Sequence, residues 1–115
     1  MLSSGGNAAD AAVAVASTLG VVHPFASGIG GGGFCLYFDA SNGEVDVYDF
    51  RETAPAAASA DMYLDSEMDP QPELSRRGGL AVAVPGEVAG LAALHADHGI
   101  RPWSGGWRSA TALAA

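Results

Sequence analysis

The sequence predicts a small α+β fold in which a helix, a β-hairpin, a short strand and a second helix follow one another. Two observations carry this prediction. Apolar residues recur at helical spacing near the start, and an Asn42-Gly43 pair separates two strand-like runs. Helices and strands in this order are typical of the α+β class. At 115 residues the chain can form at most one small domain with a modest core.

The first element is predicted to be a capped helix. Asn7 can cap it, Asp10 lies in its favourable first turn, and it runs to about Leu19. Its apolar residues lie on nearly every side, which predicts a helix that is buried all round. Pro24 and the glycines of residues 28–33 then break regular structure.

A β-hairpin is predicted next, with strands over residues 34–38 and 45–49 joined at Asn42-Gly43. The single cysteine, Cys35, lies in the first strand and cannot form an internal disulfide. Its position between apolar residues predicts a buried structural thiol rather than a nucleophile.

The second half of the chain is predicted to contain one strand and one helix. Residues 53–77 are loop-like, and residues 81–84 form a short buried strand. Pro85 suits the first turn of a helix that ends near His98, with Gly99 as its cap.

Charge and composition exclude several classes of partner. The net charge of −8 argues against nucleic acid and anionic membranes, since both reward clusters of Lys and Arg. The apolar run over residues 11–22 is too short and alanine-rich to span a bilayer, and no signal peptide is visible. His95 and His98 lie three residues apart on the predicted helix without a third ligand, so no metal site is expected.

The pair Arg51-Glu52 lies in an otherwise uncharged segment directly after a predicted strand. Arginine offers a planar fork of donors that fits a carboxylate with two hydrogen bonds. A strand end is also where a rigid element can hold a binding residue. The alternative is an ordinary ion pair with a local Asp or Glu.

Gly28, Gly30 and Gly33 satisfy the spacing of a dinucleotide-binding loop, but their context does not. Such a loop follows a strand and opens a helix, whose N-terminus holds the pyrophosphate. Here the glycines precede a strand. They predict instead a backbone that turns with positive φ and approaches another part of the chain closely.

Four motifs together resemble a known family. They are residues 5–12 (GGNAADAA), 27–34 (SGIGGGGF), 51–55 (RETAP) and 78–90 (GGLAVAVPGEVAG). In this order and spacing they are similar to the large-subunit part of the γ-glutamyltransferases, also called γ-glutamyl transpeptidases or glutathione hydrolases. The resemblance implies that the α+β chain is part of an N-terminal-nucleophile hydrolase with a four-layer αββα sandwich.

The resemblance also implies an activity and a site. Enzymes of this family cleave γ-glutamyl amides such as glutathione and pass the γ-glutamyl group to water, amino acids or peptides through a threonyl acyl-enzyme. They use no cofactor. In the family the arginine matching Arg51 binds the α-carboxylate of the γ-glutamyl group, and Glu52 is a candidate to orient it. The family is typically periplasmic, secreted or membrane-anchored.

The nucleophile is expected to be missing from this chain. In the family it is a threonine at the start of a separate small subunit, and Thr18, Thr53 and Thr111 lie in no matching context. The chain alone is therefore expected to be inactive and to need a small subunit as partner. Residues 1–103 are predicted to be a partial large-subunit domain, truncated at both ends. Residues 104–115 form a divergent tail that a frameshift would explain.

Two alternatives remain open at this point. A related acylase acting on glutaryl or cephalosporin side chains, or a relative that processes poly-γ-glutamate, would share much of this pattern. A non-catalytic relic, or a large-subunit piece that complements a separately encoded small subunit, would keep the motifs without the chemistry.

Overall fold

The first helix, α1, spans Ala8–Val22 in the computed structural model, which describes residues 1–115. Asn7 and Asp10 form a reciprocal cap: the Asn7 side chain accepts from the Asp10 amide at 3.1 Å, and the Asn7 amide donates to Asp10 Oδ2 at 2.9 Å. The capping box satisfies two of the donors that a helix start leaves free. The predicted capped helix is confirmed.

Only one side of α1 is covered. Ala9 and Val13 are fully buried, whereas Val15 and Val22 on other sides are each 57% exposed. The prediction of a helix buried all round is therefore wrong for this chain. Its apolar residues do surround the helix, but the chain supplies packing partners for one face alone.

The predicted hairpin is confirmed as two antiparallel strands, β1 (Phe34–Asp39) and β2 (Glu44–Asp49), with Gly43 at φ 78° in the turn. Cys35 in β1 is half-buried rather than buried, and burial raises the pKa of its thiol. The apolar side chains of β1 that alternate with Cys35 are exposed: Phe34 62%, Leu36 71% and Phe38 63%.

Helix α2 spans Glu87–His98 and ends at Gly99, as predicted. Its N-cap is Gly86, so Pro85 precedes the helix instead of lying in its first turn. Asn7 Nδ2 donates to the carbonyl of His98 at 2.6 Å, which joins the start of α1 to the end of α2.

Helix α3 spans Trp103–Ala114 and runs across the boundary that the sequence predicts after residue 103. The sequence analysis assigned no helix to residues 104–115. Gly106 lies against α1, where an added Cβ would meet Val13 Cβ at 3.2 Å, and its carbonyl accepts from Ser17 Oγ at 2.8 Å. None of the three helices is long and apolar enough to cross a bilayer.

The two histidines of α2 contact other parts of the fold. His95 Nε2 lies 2.9 Å from the carbonyl of Arg101 and 3.5 Å from Asp10 Oδ1. His98 Nε2 lies 3.0 Å from Asp46 Oδ2, and its ring stacks on Tyr37 with centroids 4.0 Å apart.

Residues 53–84 form a separate compact unit, whereas residues 1–52 and 85–115 form the other. The unit of residues 53–84 contains two short 3₁₀ helices, Pro72–Ser75 and Gly79–Ala81. The strand predicted over residues 81–84 is wrong, because only Val84 pairs, in an isolated bridge with Thr53. Val82 is 62% exposed, so the segment is not buried.

Candidate functional site

A cleft of about 510 Å³ lies between the glycine-rich loop, the segment after β2 and the start of α2. Its charged lining residues are Arg51, Glu52 and Glu87. The structure therefore brings both residues predicted from the sequence into one cleft. It adds Glu87, which the sequence analysis did not single out.

The backbone of Arg51 is fixed by a hydrogen bond, whereas much of its side chain is exposed to solvent. Its amide donates to Asp49 Oδ1 at 3.1 Å, which fixes the chain as it leaves β2. Its Nη1 lies 2.9 Å from Glu52 Oε2, and the side chain is 57% exposed. The local ion pair considered as the alternative is thus present. It engages one nitrogen of the guanidinium and leaves donors that a ligand can reach.

Glu52 is less exposed than its partner, at 23% of its side chain. Its Oε2 is buried and makes no well-aligned hydrogen bond, although Arg51 Nη1 is close. The contact is therefore an ion pair without a well-aligned hydrogen bond. Such a carboxylate can pull the guanidinium towards one orientation.

Glu87 is the first residue of α2 and is half-buried. Burial raises the pKa of its carboxyl, and the neighbouring Glu52 carboxylate raises it further. The backbone N–H groups of Gly86 and Glu87 both donate to the carbonyl of Gly31 at 2.9 Å. These two bonds join the glycine-rich loop to the helix that carries Glu87.

The glycine-rich loop shows the predicted close approach. A Cβ on Gly32 would overlap the carbonyl oxygen of Phe50 and lie 3.1 Å from the Glu52 amide. The expectation of positive φ is wrong, because the glycines with positive φ are Gly5, Gly43 and Gly78, all outside the loop.

The charges of the cleft suit a ligand that carries both a positive and a negative group. Arg51 offers donors for a carboxylate, and Glu52 and Glu87 offer acceptors for an ammonium group. A free α-amino acid, or a peptide end that carries both groups, has this combination. The groups of such a ligand would match the charges that line the cleft.

Neither Thr18 nor Thr111 lines this cleft. Thr18 lies within α1, and the Thr111 hydroxyl donates to the carbonyls of Trp107 and Arg108, both at 3.0 Å within α3. Thr53 belongs to the separate unit, where its backbone pairs with Val84.

Comparison with known proteins decides the family. The family model described as gamma-glutamyltranspeptidase matches residues 1–115. The chain belongs to the gamma-glutamyltranspeptidase family. The match includes residues 104–115, which carry most of α3.

Relatives in this family are similar over most of the chain. Glutathione hydrolase 2 of Arabidopsis thaliana is 52% identical over 103 residues, which are 90% of this chain and 17% of that protein. The glutathione hydrolase proenzyme of Pseudomonas aeruginosa is 50% identical over 105 residues, 90% of this chain and 18% of that protein. The chain thus spans less than a fifth of the length of these two relatives.

A solved gamma-glutamyltranspeptidase has the same arrangement of helices and strands. The crystal structure of the Helicobacter pylori enzyme superimposes with a TM-score of 0.94 at 48% identity, covering 98% of this chain and 32% of that one. The names of these three relatives give no support to the acylase alternative.

Proposed function

We propose that this chain is part of an enzyme that cleaves γ-glutamyl amides such as glutathione and transfers the γ-glutamyl group to water, amino acids or peptides. The observation that carries the proposal is Arg51, whose exposed guanidinium lies in a cleft at the end of a strand. Membership of the gamma-glutamyltranspeptidase family supports it.

Arg51 binds the α-carboxylate of the γ-glutamyl donor in this proposal. A glutamyl donor presents that carboxylate at a fixed distance from its scissile γ-amide, so a two-pronged contact sets the reaction geometry. Glu52 orients the guanidinium through their 2.9 Å ion pair. This chain needs no cofactor for that role.

The bond-breaking step belongs to a partner. A threonine at the start of a small subunit attacks the γ-carbonyl with its hydroxyl oxygen, its own α-amine takes the proton, and the C–N bond breaks as the leaving amine is protonated. Water or an acceptor amine then releases the acyl group. The chain alone is therefore inactive, because none of its threonines lies in the context of that nucleophile.

The β1–β2 hairpin forms part of one sheet of an αββα sandwich in the complete enzyme. The exposed face of β1 supports this part of the proposal, since Phe34, Leu36 and Phe38 are each more than 60% exposed in the chain alone. Exposed apolar faces of this kind mark surfaces that pack against other protein.

Binding of L-glutamate to this chain tests the role of Arg51. In ¹⁵N NMR we expect L-glutamate to shift the Arg51 side-chain resonance, whereas 4-aminobutyrate, which lacks the α-carboxylate, leaves it unmoved. Arg51→Lys keeps the charge but loses the fork, and should weaken binding about tenfold, or about 1.4 kcal/mol. Equal responses to the two ligands, or an unchanged affinity in Arg51→Lys, would contradict the proposal.

A γ-glutamyl-p-nitroanilide assay tests the inactivity of the chain alone. We expect the purified chain to release p-nitroaniline no faster than buffer, because it carries the binding residue without the nucleophile. Turnover by the chain that disappears in Arg51→Ala would show that a nucleophile is present here after all.

A further inference from the structure

We infer that four glycines position Arg51 by holding both the backbone and the ring of the preceding residue, Phe50. We call them the glycine clamp: Gly32, Gly33, Gly86 and Gly90. The inference rests on the proposed function, because the position of Arg51 matters for catalysis only if Arg51 binds the substrate.

The clamp holds the Phe50 backbone from two sides. Phe50 N donates to the Gly33 carbonyl at 3.0 Å, and Gly33 N donates back to Phe50 O at 3.3 Å. An added Cβ on either Gly32 or Gly86 would overlap Phe50 O. The carbonyl that leads directly into Arg51 therefore lies between the glycine-rich loop and the start of α2, with no room for a side chain on either flank.

The clamp also holds the Phe50 ring. A Cβ on Gly90 would overlap the Cβ, Cγ and Cδ1 atoms of Phe50, and one on Gly33 would lie 3.4 Å from its Cε2. Gly90 is buried inside α2, where glycine is less stable than alanine by about 1 kcal/mol. The ring contact explains why a glycine occupies this helical position.

The clamp joins the three walls of the cleft. Gly31 O accepts from Gly86 N and Glu87 N, so the loop and α2 are linked on the side facing Glu87. Phe50 lies between the loop and α2, and Arg51 follows Phe50 directly in the chain. Movement of the loop or of α2 against β2 would therefore move the guanidinium within the cleft.

Gly90→Ala tests the clamp, with Gly105→Ala as matched control. In Gly90→Ala we expect the Arg51 and Glu52 amide resonances to shift, and the dissociation constant for L-glutamate to rise about tenfold, since small misplacements are costly. The Val13 and Ala110 resonances should stay in place. Gly105 is also helical, and its Cβ would meet only Met1 Cε, at 3.8 Å, so Gly105→Ala should leave all these signals unchanged.

A second variant separates positioning from folding if Gly90→Ala does not fold. Gly90→Ala combined with Phe50→Gly removes all three Phe50 atoms that the added Cβ would overlap, while leaving the clamp without its ring. We expect this double variant to fold and to bind L-glutamate about tenfold more weakly than the wild type. Affinity equal to the wild type in the double variant, or unshifted Arg51 and Glu52 amides in folded Gly90→Ala, would overturn the inference.

The same measurements separate this inference from the proposed function. If the wild type does not respond to L-glutamate, the proposed role of Arg51 fails. The amide resonances of Arg51 and Glu52, recorded without ligand, then test the clamp by themselves. If Gly90→Ala shifts these resonances, the clamp is supported. If it leaves them unshifted, the clamp is refuted.

Discussion

Asp10 and Arg51 are both charged residues of short sequence motifs, yet the fold treats them in opposite ways. The Asp10 side chain is 0% exposed, whereas that of Arg51 is 57% exposed. Asp10 accepts from the amides of Asn7 at 2.9 Å, Arg101 at 3.1 Å and Ile100 at 3.4 Å. Arg51 has a single ion pair, with its sequence neighbour Glu52.

The difference shows how a structural charge can be told from one that is available to a ligand. Burial raises the pKa of Asp10, but the hydrogen bonds from Asn7, Arg101 and Ile100, helped by His95, outweigh it and leave the pKa lowered. The acceptors of Asp10 are already occupied by the chain. The Arg51 guanidinium engages only Glu52, so its other donors are accessible to a ligand.

Removal of the Asp10 carboxylate should have the largest effect on stability. Asp10→Ala leaves buried amides at the start of α1 and after α2 without acceptors, and should lower the free energy of unfolding by about 3 kcal/mol. Urea denaturation would measure this. Asp69→Ala, at an exposed position, is the control and should change stability by less than about 0.5 kcal/mol. Equal losses in the two variants would remove the distinction drawn for Asp10.

Acidification should reduce the contribution of the Asp10 carboxylate to the free energy of unfolding. Because its folded pKa lies below its unfolded value, Asp10 stabilises the fold fully above about pH 4 and loses this contribution as the pH falls through the folded pKa. The stability difference between wild type and Asp10→Asn should therefore shrink on acidification. Urea midpoints from pH 6 to pH 2.5 would show it, and a difference independent of pH would speak against the assignment.

Removal of the Arg51 side chain should have the smallest effect on stability. Arg51→Ala loses a partly exposed ion pair and should change the free energy of unfolding by less than about 1 kcal/mol. Arg76→Ala, 72% exposed and 3.9 Å from Glu73, is the matched control. Thermal unfolding would check both. A loss in Arg51→Ala comparable to that of Asp10→Ala would mean that Arg51 also holds the fold.

Local signals explain which parts of the fold were predictable. The Asn7 cap and the Asn42-Gly43 turn are encoded within a few residues, and both were predicted correctly. Helix α3 was not predicted, because Gly105 and Gly106 are poor helix formers on their own. The structure shows what compensates for the poor helix propensity of these glycines, since Gly106 allows α3 to approach Val13 of α1 closely.

The candidate site was predictable only in part. A motif placed Arg51 and Glu52 together, but Glu87 resembled an ordinary acidic residue in the first turn of a helix. The glycine-rich loop was correctly expected to approach other backbone closely. Its φ angles were not predicted, because Gly32 is required by the close approach of the Phe50 carbonyl oxygen rather than by a turn.

The hydrogen bonds that hold the helices together join parts of the chain that lie far apart in sequence. Asn7 bonds to His98 across 91 positions of the chain, and Ser17 bonds to Gly106 across 89. Contacts so distant in sequence require a large loop to close first, which slows their formation. During synthesis the contact between α1 and α3 can therefore form only after residues 103–114 have been made. Until then Val13, which is fully buried in the folded chain, lacks its contact with Gly106.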